Sequence, residues 1–574
     1  MSELETRARE WIEGDPDPVT RAELSALLDK GEVDELADRM AGLLQFGTAG
    51  IRGAVEAGDN RMNRAVVIKT TAGLVAHLLE TTEQSDRLVV IGRDARPSSA
   101  VFMEDSIGVL TAAGFRVKYF GDVAPTPLVA YASLTYGACA AVVVTASHNP
   151  PADNGYKVYA SNGGQIVSPT DAQIAAKIEA VDHANAVPRV AAPFDHPEVE
   201  AIGPDLFEDY LRDVATTIPS ITGDRTISIV YSAMHGVGGK FVIAALNRFG
   251  FANTHPVARQ FEPDGAFPTV SFPNPEEPGA LDMSHELAES IDADLVIAND
   301  PDADRLAVSL PFPGGVWKAI TGNQIGCLLA DFLLSKLPGA DGPVINSIVS
   351  SPMLATIADA HGVPFVQTLT GFKWIGNAAL DLEAAGESAM VVGYEEALGY
   401  SVGTTVRDKD GVSAAVAFAV MAAIAAADGK TTVDLLGELY EKHGLWVSSQ
   451  VSIRREGASG QGDIARAMAA LRAEPPASLG GFDVVAIRDF SVGADERPRY
   501  LGATNLIELD LGEAGRVLAR PSGTEPKLKV YVDLTGPYPE SGDWIGAEAR
   551  LNQTASAVGG VLGTWLEDAM EGAG

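Results

Sequence analysis

Short runs of β-branched and other apolar residues recur along this chain, and each closes on a small or polar loop that leads into a helical pattern. The runs are Leu88 to Gly92, Ala140 to Thr145, Thr226 to Tyr231, Asp294 to Asn299, Val344 to Val349 and Met390 to Gly393. A strand that is apolar throughout must be covered on both faces, and helices between the strands supply that cover. The expected fold is therefore α/β, built on mixed or parallel sheets. At 574 residues the chain is too long for one hydrophobic core, so several domains are needed. A stretch rich in Pro, Ala and Asp, Ala184 to Pro204, precedes one amphipathic segment and the new strand at Thr226, which sets a boundary near residue 220. Further boundaries near 320 and 445 give domains 1–220, 221–320, 321–445 and 446–574. In the last, Asn505 to Asp510 and Leu528 to Leu534 alternate apolar and polar residues as half-buried antiparallel strands do, which predicts a smaller α+β unit.

Composition narrows the function classes. The 77 acidic against 42 basic residues give a formal charge of −35, which repels polyanions and argues against nucleic acid as the main partner. Only two cysteines are present, Cys139 and Cys327, so a disulfide framework and a cysteine zinc site both lack support, and a reducing, cytoplasmic compartment fits. The start, Met1 to Pro18, carries four Glu and two Asp and is unlike a secretion signal. The longest apolar run, Ala414 to Ala427, is too short to span a bilayer and reads as a buried helix, so no membrane partner is expected.

Three loops can carry chemistry. The apolar run from Ala140 stops at Thr145-Ala146-Ser147-His148-Asn149-Pro150, beyond the carboxyl end of a buried strand, where open α/β sheets bind ligands. Ser147 is a candidate nucleophile there and His148 an adjacent proton or phosphate partner. An ordinary turn explains the same Ser, Asn and Pro, and the serine is not in a G-x-S-x-G elbow. Asp300-Pro301-Asp302-Ala303-Asp304-Arg305 offers alternate carboxylates that can converge on one hard cation such as magnesium, and a solvated acidic turn is the competing explanation. It is no EF-hand, since Arg305 stands where Gly is needed and Pro311 where Glu is needed. Arg520-Pro521-Ser522-Gly523-Thr524-Glu525-Pro526-Lys527 joins two strands and offers a guanidinium, two hydroxyls, close backbone N–H groups and an ammonium, a set suited to a phosphate dianion. A plain hairpin loop accounts for the Pro, Ser and Gly but not for the flanking Arg and Lys. His235-Gly236-Val237-Gly238-Gly239-Lys240-Phe241 approaches a Walker loop, yet Met234 replaces its first Gly and Phe241 its Ser or Thr. It fails as G-x-G-x-x-G at the same phenylalanine.

The serine, aspartate and phosphate loops, in this order, resemble those of the α-D-phosphohexomutase family, the phosphoglucomutases and phosphomannomutases, over nearly the whole chain. Phe46-Gly47-Thr48-Ala49-Gly50-Ile51-Arg52-Gly53 is similar to the family's N-terminal signature. The resemblance implies four domains around a central cleft, three mixed-sheet α/β and a smaller C-terminal α+β. It implies a phosphorylated Ser147, magnesium held by Ser147, Asp300, Asp302 and Asp304, and Arg52, His148, Lys157 and Arg305 around the transferring phosphate. Lys157 is the candidate acid/base group and His148 the second candidate. Glu395, in Gly393-Tyr394-Glu395-Glu396-Ala397-Leu398-Gly399, is expected to hold sugar hydroxyls; Thr370, Gly371 and Lys373 match the specificity loop. Lys409 matches a further active-site lysine, and Arg520, Ser522, Gly523, Thr524 and Lys527 match the loop for the non-reacting phosphate. Ala397 stands where many members have Ser, so one hydroxyl contact to the sugar is missing. Together with Gly371-Phe372-Lys373 it resembles the branch of certain bacterial phosphoglucomutases and the animal phosphopentomutase and glucose-1,6-bisphosphate synthase proteins.

The implied activity is interconversion of hexose 1-phosphate and hexose 6-phosphate, with glucose as the expected sugar, Mg2+ as cofactor and a sugar 1,6-bisphosphate as activator. Small-molecule sugar phosphates are the expected partners, and the oligomeric state is left open. Phosphomannomutase, phosphopentomutase, glucose-1,6-bisphosphate synthase and a noncatalytic sugar-phosphate-binding protein are the alternatives. Because a phosphate is held by charge-assisted contacts, Arg520→Ala or Lys527→Ala is expected to weaken sugar-phosphate binding more than folding. Steady-state kinetics beside thermal unfolding check this, and unchanged apparent affinity and turnover would remove the loop from the site.

Overall fold

The computed structural model describes residues 2–47, 50–220, 225–455, 460–522 and 526–572. Its chain forms two compact units, Met1–Ile320 with Leu398–Gly429, and Thr321–Ala397 with Lys430–Gly574.

The first unit contains two mixed sheets. In the first sheet the order is Ile51–Ala54, Asp153–Ala160, Ala140–Val144, Leu88–Arg93, Arg116–Tyr119, Val199–Ala201. Ala140–Val144 is buried along its whole length, as a strand reading Ala-Ala-Val-Val-Val must be when helices lie on both faces. It runs parallel to Leu88–Arg93 and antiparallel to Asp153–Ala160, and Val143 stands opposite Lys157. Ile51–Ala54 then pairs with Asp153–Ala160 so that Arg52 faces Gly155. Strand register thus brings Arg52 and Lys157 to the end of the sheet where Ala140–Val144 runs out into Ser147. The second sheet has the order Val316–Ala319, Ala307–Phe312, Leu295–Ala298, Ile229–Ser232, Thr254–Pro256. The strand expected from Thr226 starts at Ile229, because its ladder begins only at Ile229 opposite Leu295, while Ser228 is occupied by Asp294. The apolar run near residue 420 is the helix Gly411–Ala427, buried on nearly every face and packed on the helix Gly238–Arg248. Among the described residues no single helix is long and apolar enough to cross a membrane.

In the second unit, Phe365–Thr368, Val344–Ser347 and Val392–Glu395 are parallel neighbours. Val344–Ser347 ends before Val349: the Ile348 N–H still donates to the Thr368 carbonyl at 2.8 Å, while the side chains of Ile348 and Val349 pack with Phe490, Leu506, Leu518 and Tyr531. The C-terminal sheet is antiparallel throughout, in the order Leu445–Arg454, Lys527–Gly536, Gly515–Pro521, Ile507–Asp510, Ala486–Asp489. Its strand Lys527–Gly536 alternates as expected but is more than half buried. Leu528, Val530, Val532 and Leu534 pack under the helix Trp544–Glu571, and Tyr531 on the other face meets Ile348 and Val349. The fold is the expected one: three mixed-sheet or parallel α/β layers and a smaller α+β domain at the C-terminus.

On that second face of the C-terminal sheet lies a buried ion cluster. Arg516 Nε donates to Asp533 Oδ2 at 2.9 Å, its Nη1 reaches Glu508 Oε2 at 3.3 Å, and its Nη2 donates to the Ser350 carbonyl at 2.7 Å. Burial raises the Asp533 carboxyl above its ordinary value, and the Arg516 guanidinium works against that rise. Removing one member of a buried pair strands the other. Arg516→Ala is expected to destabilise the second unit by about 3–5 kcal/mol, read as a fall in its urea midpoint; an unshifted midpoint would show that the cluster is dispensable.

Candidate active site

Ser147 follows the buried strand by three residues and has φ 51°, the left-handed region that a non-glycine residue occupies only when its surroundings impose it. Its N–H donates to Thr145 Oγ1 at 2.8 Å, and its hydroxyl donates to Asp300 Oδ2 at 2.7 Å. The loop lacks the G-x-S-x-G letters, yet it shares with that elbow a serine held in a strained turn at a strand end. The side chain is 2% exposed. His148 Nδ1 lies 3.2 Å from Ser147 Oγ, and its Nε2 faces Arg305 Nη2 at 3.5 Å. A guanidinium donates only, so Nε2 is the acceptor and the proton rests on Nδ1, directed at Ser147. Burial, then the charges of Arg305 and Arg52, lower the His148 pKa well below the ordinary imidazole range, so the ring is neutral at neutral pH.

The aspartate loop is a tight turn. Ala303 N–H closes on the Asp300 carbonyl at 2.9 Å, and Ala303 itself takes φ 56°. That reversal turns the carboxylates of Asp300, Asp302 and Asp304 inward, with oxygens within 4.8 Å of one another and none exposed. Burial, then the charges of Asp304 and Asp302, push the Asp300 carboxyl well above the carboxylate range. Burial acts to raise Asp302 also, but the Lys157 ammonium outweighs it and holds Asp302 far below that range. Lys157 Nζ donates to Asp302 Oδ2 at 2.6 Å and to Asp304 Oδ2 at 2.7 Å, and Thr126 Oγ1 donates to Asp302 Oδ2 at 2.7 Å. The second oxygens, Asp302 Oδ1 and Asp304 Oδ1, are buried without a hydrogen-bond partner. Buried carboxylate oxygens left orphaned in a three-carboxylate cluster are what a hard divalent cation requires. The donor set fits magnesium, and Ser147 Oγ lies beside it.

Lys157 is 1% exposed. Burial acts to lower its pKa, but Asp302 and Asp304 outweigh it and raise the value, so Lys157 is an ammonium ion. Lys409 lies 3.4 Å from Asp304 Oδ2. The loop around Lys409 is pinned on both sides: Tyr159 OH and Gln165 Nε2 each donate to Asp408 Oδ2 at 2.7 Å, and Tyr210 OH donates to Asp410 Oδ2 at 2.7 Å. The Arg305 N–H donates to Asp300 Oδ1 at 3.0 Å. Ser147, His148, Lys157, Asp300, Asp302, Asp304, Arg305 and Lys409 are thus linked by direct contacts, and Arg52 lies within range to influence both His148 and Lys157.

The remaining candidates belong to the second unit. Gly371, at φ 102°, precedes the helix Phe372–Ala384, where Lys373 is buried with its ammonium 5.0 Å from the Trp374 ring centre. The neighbouring Thr370 is half-buried. Glu395 ends the strand Val392–Glu395, and Ala397 is half-buried beside it. Glu396 is committed to protein: its Oε2 accepts from Ser347 Oγ and Ser350 Oγ, both at 3.0 Å. Arg520 pairs across the sheet with Lys529, and the Tyr531 phenol is influenced by Glu396, Arg520 and Glu395, which brings the loops of Glu395 and Arg520 to one neighbourhood. Ser522 N–H donates to the Lys527 carbonyl at 2.7 Å, across the loop expected to hold the non-reacting phosphate. Gly523 and Thr524 lie outside the described residues, as do Thr48 and Ala49 of the N-terminal signature.

The near-Walker segment has a structural task that its letters did not disclose. Met234 and His235 take φ 48° and 60°, and the Val237 N–H donates to the Pro301 carbonyl at 2.8 Å. A Cβ on Gly236 would stand 2.4 Å from Pro301 Cα, so only glycine lets this turn back the aspartate loop. The pattern of small residues was the available signal, but its target, Pro301, is about 65 positions away in sequence and visible only in the fold.

Comparison with known proteins follows the same order of parts. The phosphoglucomutase/phosphomannomutase alpha/beta/alpha domains I, II and III match residues 43–185, 208–311 and 321–443, and the family's C-terminal domain matches 486–543. A Haemophilus influenzae protein described as "Probable phosphomannomutase" is 41% identical over 85% of this chain and 96% of its own length. The Mus musculus phosphopentomutase and the Homo sapiens glucose 1,6-bisphosphate synthase are each 34% identical, over 97% of this chain and 94% of theirs. Among solved structures, a phosphoglucomutase/phosphomannomutase family protein from Burkholderia thailandensis has the same fold, with TM-score 0.65 and 21% identity over 92% of this chain and 98% of its own. With all four domains matched in order and relatives aligned over almost their full lengths, the chain belongs to the phosphoglucomutase/phosphomannomutase family of α-D-phosphohexomutases.

Proposed function

We propose that this phosphomutase interconverts the 1- and 6-phosphates of a hexose, glucose being preferred, through a phosphoserine at Ser147 and a sugar 1,6-bisphosphate that reorients between two transfers. The observation that carries the reading is the strained Ser147 hydroxyl 2.7 Å from Asp300, beside two orphaned carboxylate oxygens. In the first transfer the free hydroxyl of the sugar monophosphate gives up its proton and forms the new P–O bond as the bond to Ser147 Oγ breaks, and Ser147 Oγ takes up a proton to become the free hydroxyl again. His148 Nδ1–H, 3.2 Å from Ser147 Oγ, hydrogen-bonds that departing oxygen and keeps its proton, since a neutral ring that gave it up would be left as an imidazolate. Lys157, a cation, supports the charge of the moving group and can enter proton transfer only as an acid. Arg52, Arg305 and Lys409 add positive charge around it, the usual means of lowering a phosphoryl-transfer barrier. Asp300, Asp302 and Asp304 would hold Mg2+, which when bound supplies further charge neutralisation on the phosphoryl oxygens.

For the sugar, Glu395 is the candidate hydroxyl acceptor, since Glu396 is engaged by Ser347 and Ser350. Arg520, Ser522 and Lys527, with Gly523 and Thr524, are assigned to the non-reacting phosphate. The bisphosphate is then the activator that recharges Ser147. A pentose phosphate is the second reading, favoured by relatives named phosphopentomutase that match 97% of the chain and by the absence of a hydroxyl at Ala397.

Ser147→Ala is expected to stay folded and lose turnover by roughly a thousandfold or more, as removal of a nucleophile does, with wild type alone showing one phosphate by intact mass. Near-normal turnover by the variant would end the assignment. Asp302→Asn is expected to weaken activation by Mg2+ at least about tenfold, the low end of what a supporting contact around a metal is worth. Retained activity with no metal bound would make this loop structural. For the sugar, kcat/KM for glucose 1-phosphate, mannose 1-phosphate and ribose 1-phosphate should fall in that order under identical magnesium and bisphosphate, because a pentose leaves prepared polar groups misplaced. A higher value for ribose 1-phosphate would select the second reading.

A further inference from the structure

Arg96 lies in the loop that follows the strand Leu88–Arg93, 2% exposed. Every guanidinium nitrogen is committed, and four of its five contacts go to one segment. Nη2 donates to the carbonyls of Ser147 at 2.8 Å and Asn149 at 2.6 Å; Nη1 donates to those of Pro150 at 2.6 Å and Asp153 at 2.8 Å. Nε donates to Asp94 Oδ2 at 3.1 Å. Asp94 is in turn fixed to the same strand end, for its N–H donates to the Val144 carbonyl at 3.0 Å and its Oδ1 accepts from the Arg96 N–H at 3.0 Å and from Ser99 Oγ at 2.5 Å. The guanidinium is covered by the Phe267 ring, 5.1 Å away, and Gly265 backs onto the loop so closely that a Cβ there would come within 2.5 Å of Arg96 Cα.

This clamp bears on the reacting serine. Carbonyl oxygens repel one another when crowded, and only a forked cation gathers four of them. In a planar trans peptide the C=O and N–H point in opposite directions, so fixing the Ser147 carbonyl on Arg96 turns the His148 N–H away from the guanidinium. The loop's carbonyls are thereby spent on the interior, and the polarity left for an anion on the other side is that of amide hydrogen. The left-handed φ of Ser147, which a serine abandons unless held, is fixed by the same contacts.

We propose that Arg96 is a positioning residue for phosphoryl transfer: by gathering the carbonyls of Ser147, Asn149, Pro150 and Asp153, its guanidinium holds Ser147 in the conformation that aims Oγ at Asp300. The proposal rests on the reading of Ser147 as the phosphorylated group, and its loss should slow transfer without changing how the sugar phosphate is held.

The test compares wild type, Arg96→Lys, Arg96→Ala and Asp94→Asn. Each is measured for phosphorylation of Ser147 by glucose 1,6-bisphosphate in a single turnover, read by intact mass, and for steady-state kcat and KM. A lysine cannot fork to four carbonyls, so Arg96→Lys should lower kcat and the phosphorylation rate about a hundredfold, the cost of misplacing a reacting atom by an ångström, with KM unchanged. Added guanidinium should restore kcat in Arg96→Ala and leave Ser147→Ala inert. Asp94→Asn, an isosteric change that turns a donor toward Arg96 Nε, should lower kcat about tenfold, and it decides the matter alone if the Arg96 variants do not fold. Phosphorylation at the wild-type rate in a folded Arg96→Lys, or in Asp94→Asn, overturns the proposal. Wild type without phosphate on Ser147, together with a working Ser147→Ala, instead overturns the reading of Ser147 and the proposal with it.

Discussion

Three carboxylates with no exposed surface, within 4.8 Å of one another, are the constraint around which the first unit is organised. Such a cluster cannot persist unless its charge is answered nearby, and nearly every functional side chain of that unit answers it. Lys157 takes one oxygen of Asp302 and one of Asp304, Thr126 shares the former, Lys409 approaches Asp304, and the Arg305 amide and Ser147 hydroxyl occupy Asp300. What remains unanswered, Asp302 Oδ1 and Asp304 Oδ1, is the part that a cation would complete. The arrangement proposed for catalysis and the solution to a burial problem are the same set of contacts.

Backbone strain collects at the same place. Ser147, Ala303, Met234 and His235 all take positive φ without being glycine, and they lie on the serine loop, the aspartate loop and the turn that backs the latter. Each is held by specific neighbours: Arg96 behind Ser147, the Asp300 carbonyl across the turn from Ala303, Ser232 Oγ accepting from the Met234 N–H, and the Gln260 carbonyl accepting from the His235 N–H. A strained residue retained at three adjoining loops is evidence of a geometry that packing imposes.

The second unit positions its candidate residues by a different device. There the parallel strands present Glu395 at their ends, and the loop 347–351 links that sheet to the C-terminal antiparallel one. Ser350 gives its hydroxyl to Glu396 and its carbonyl to Arg516, whose charge is balanced by Asp533 and Glu508. The loop that carries Glu395 and the C-terminal sheet therefore share one hydrogen-bonded path, in which Glu396 serves as an anchor.

The sequence by itself determined the α/β grammar, the antiparallel character of the C-terminal sheet and the positions of the candidate loops, because these depend on local quantities: apolar runs long enough for a buried strand, Gly and Pro where the chain turns, and carboxylates at alternate positions of one turn. Ser147, Asp300, Asp302 and Asp304 were legible for that reason. The tertiary structure alone decided which partners meet them. Arg96 acts on Ser147 from 51 residues away, Lys157 on Asp302 from 145, and Gly236 on Pro301 through a backbone approach that no side-chain letter encodes. It also decided that Lys157 is a held cation and that Glu396 is an anchor, since charge state and free valence are properties of the surroundings. Those surroundings are assembled from strands and turns distant in the chain, and their register is fixed only when the sheets close.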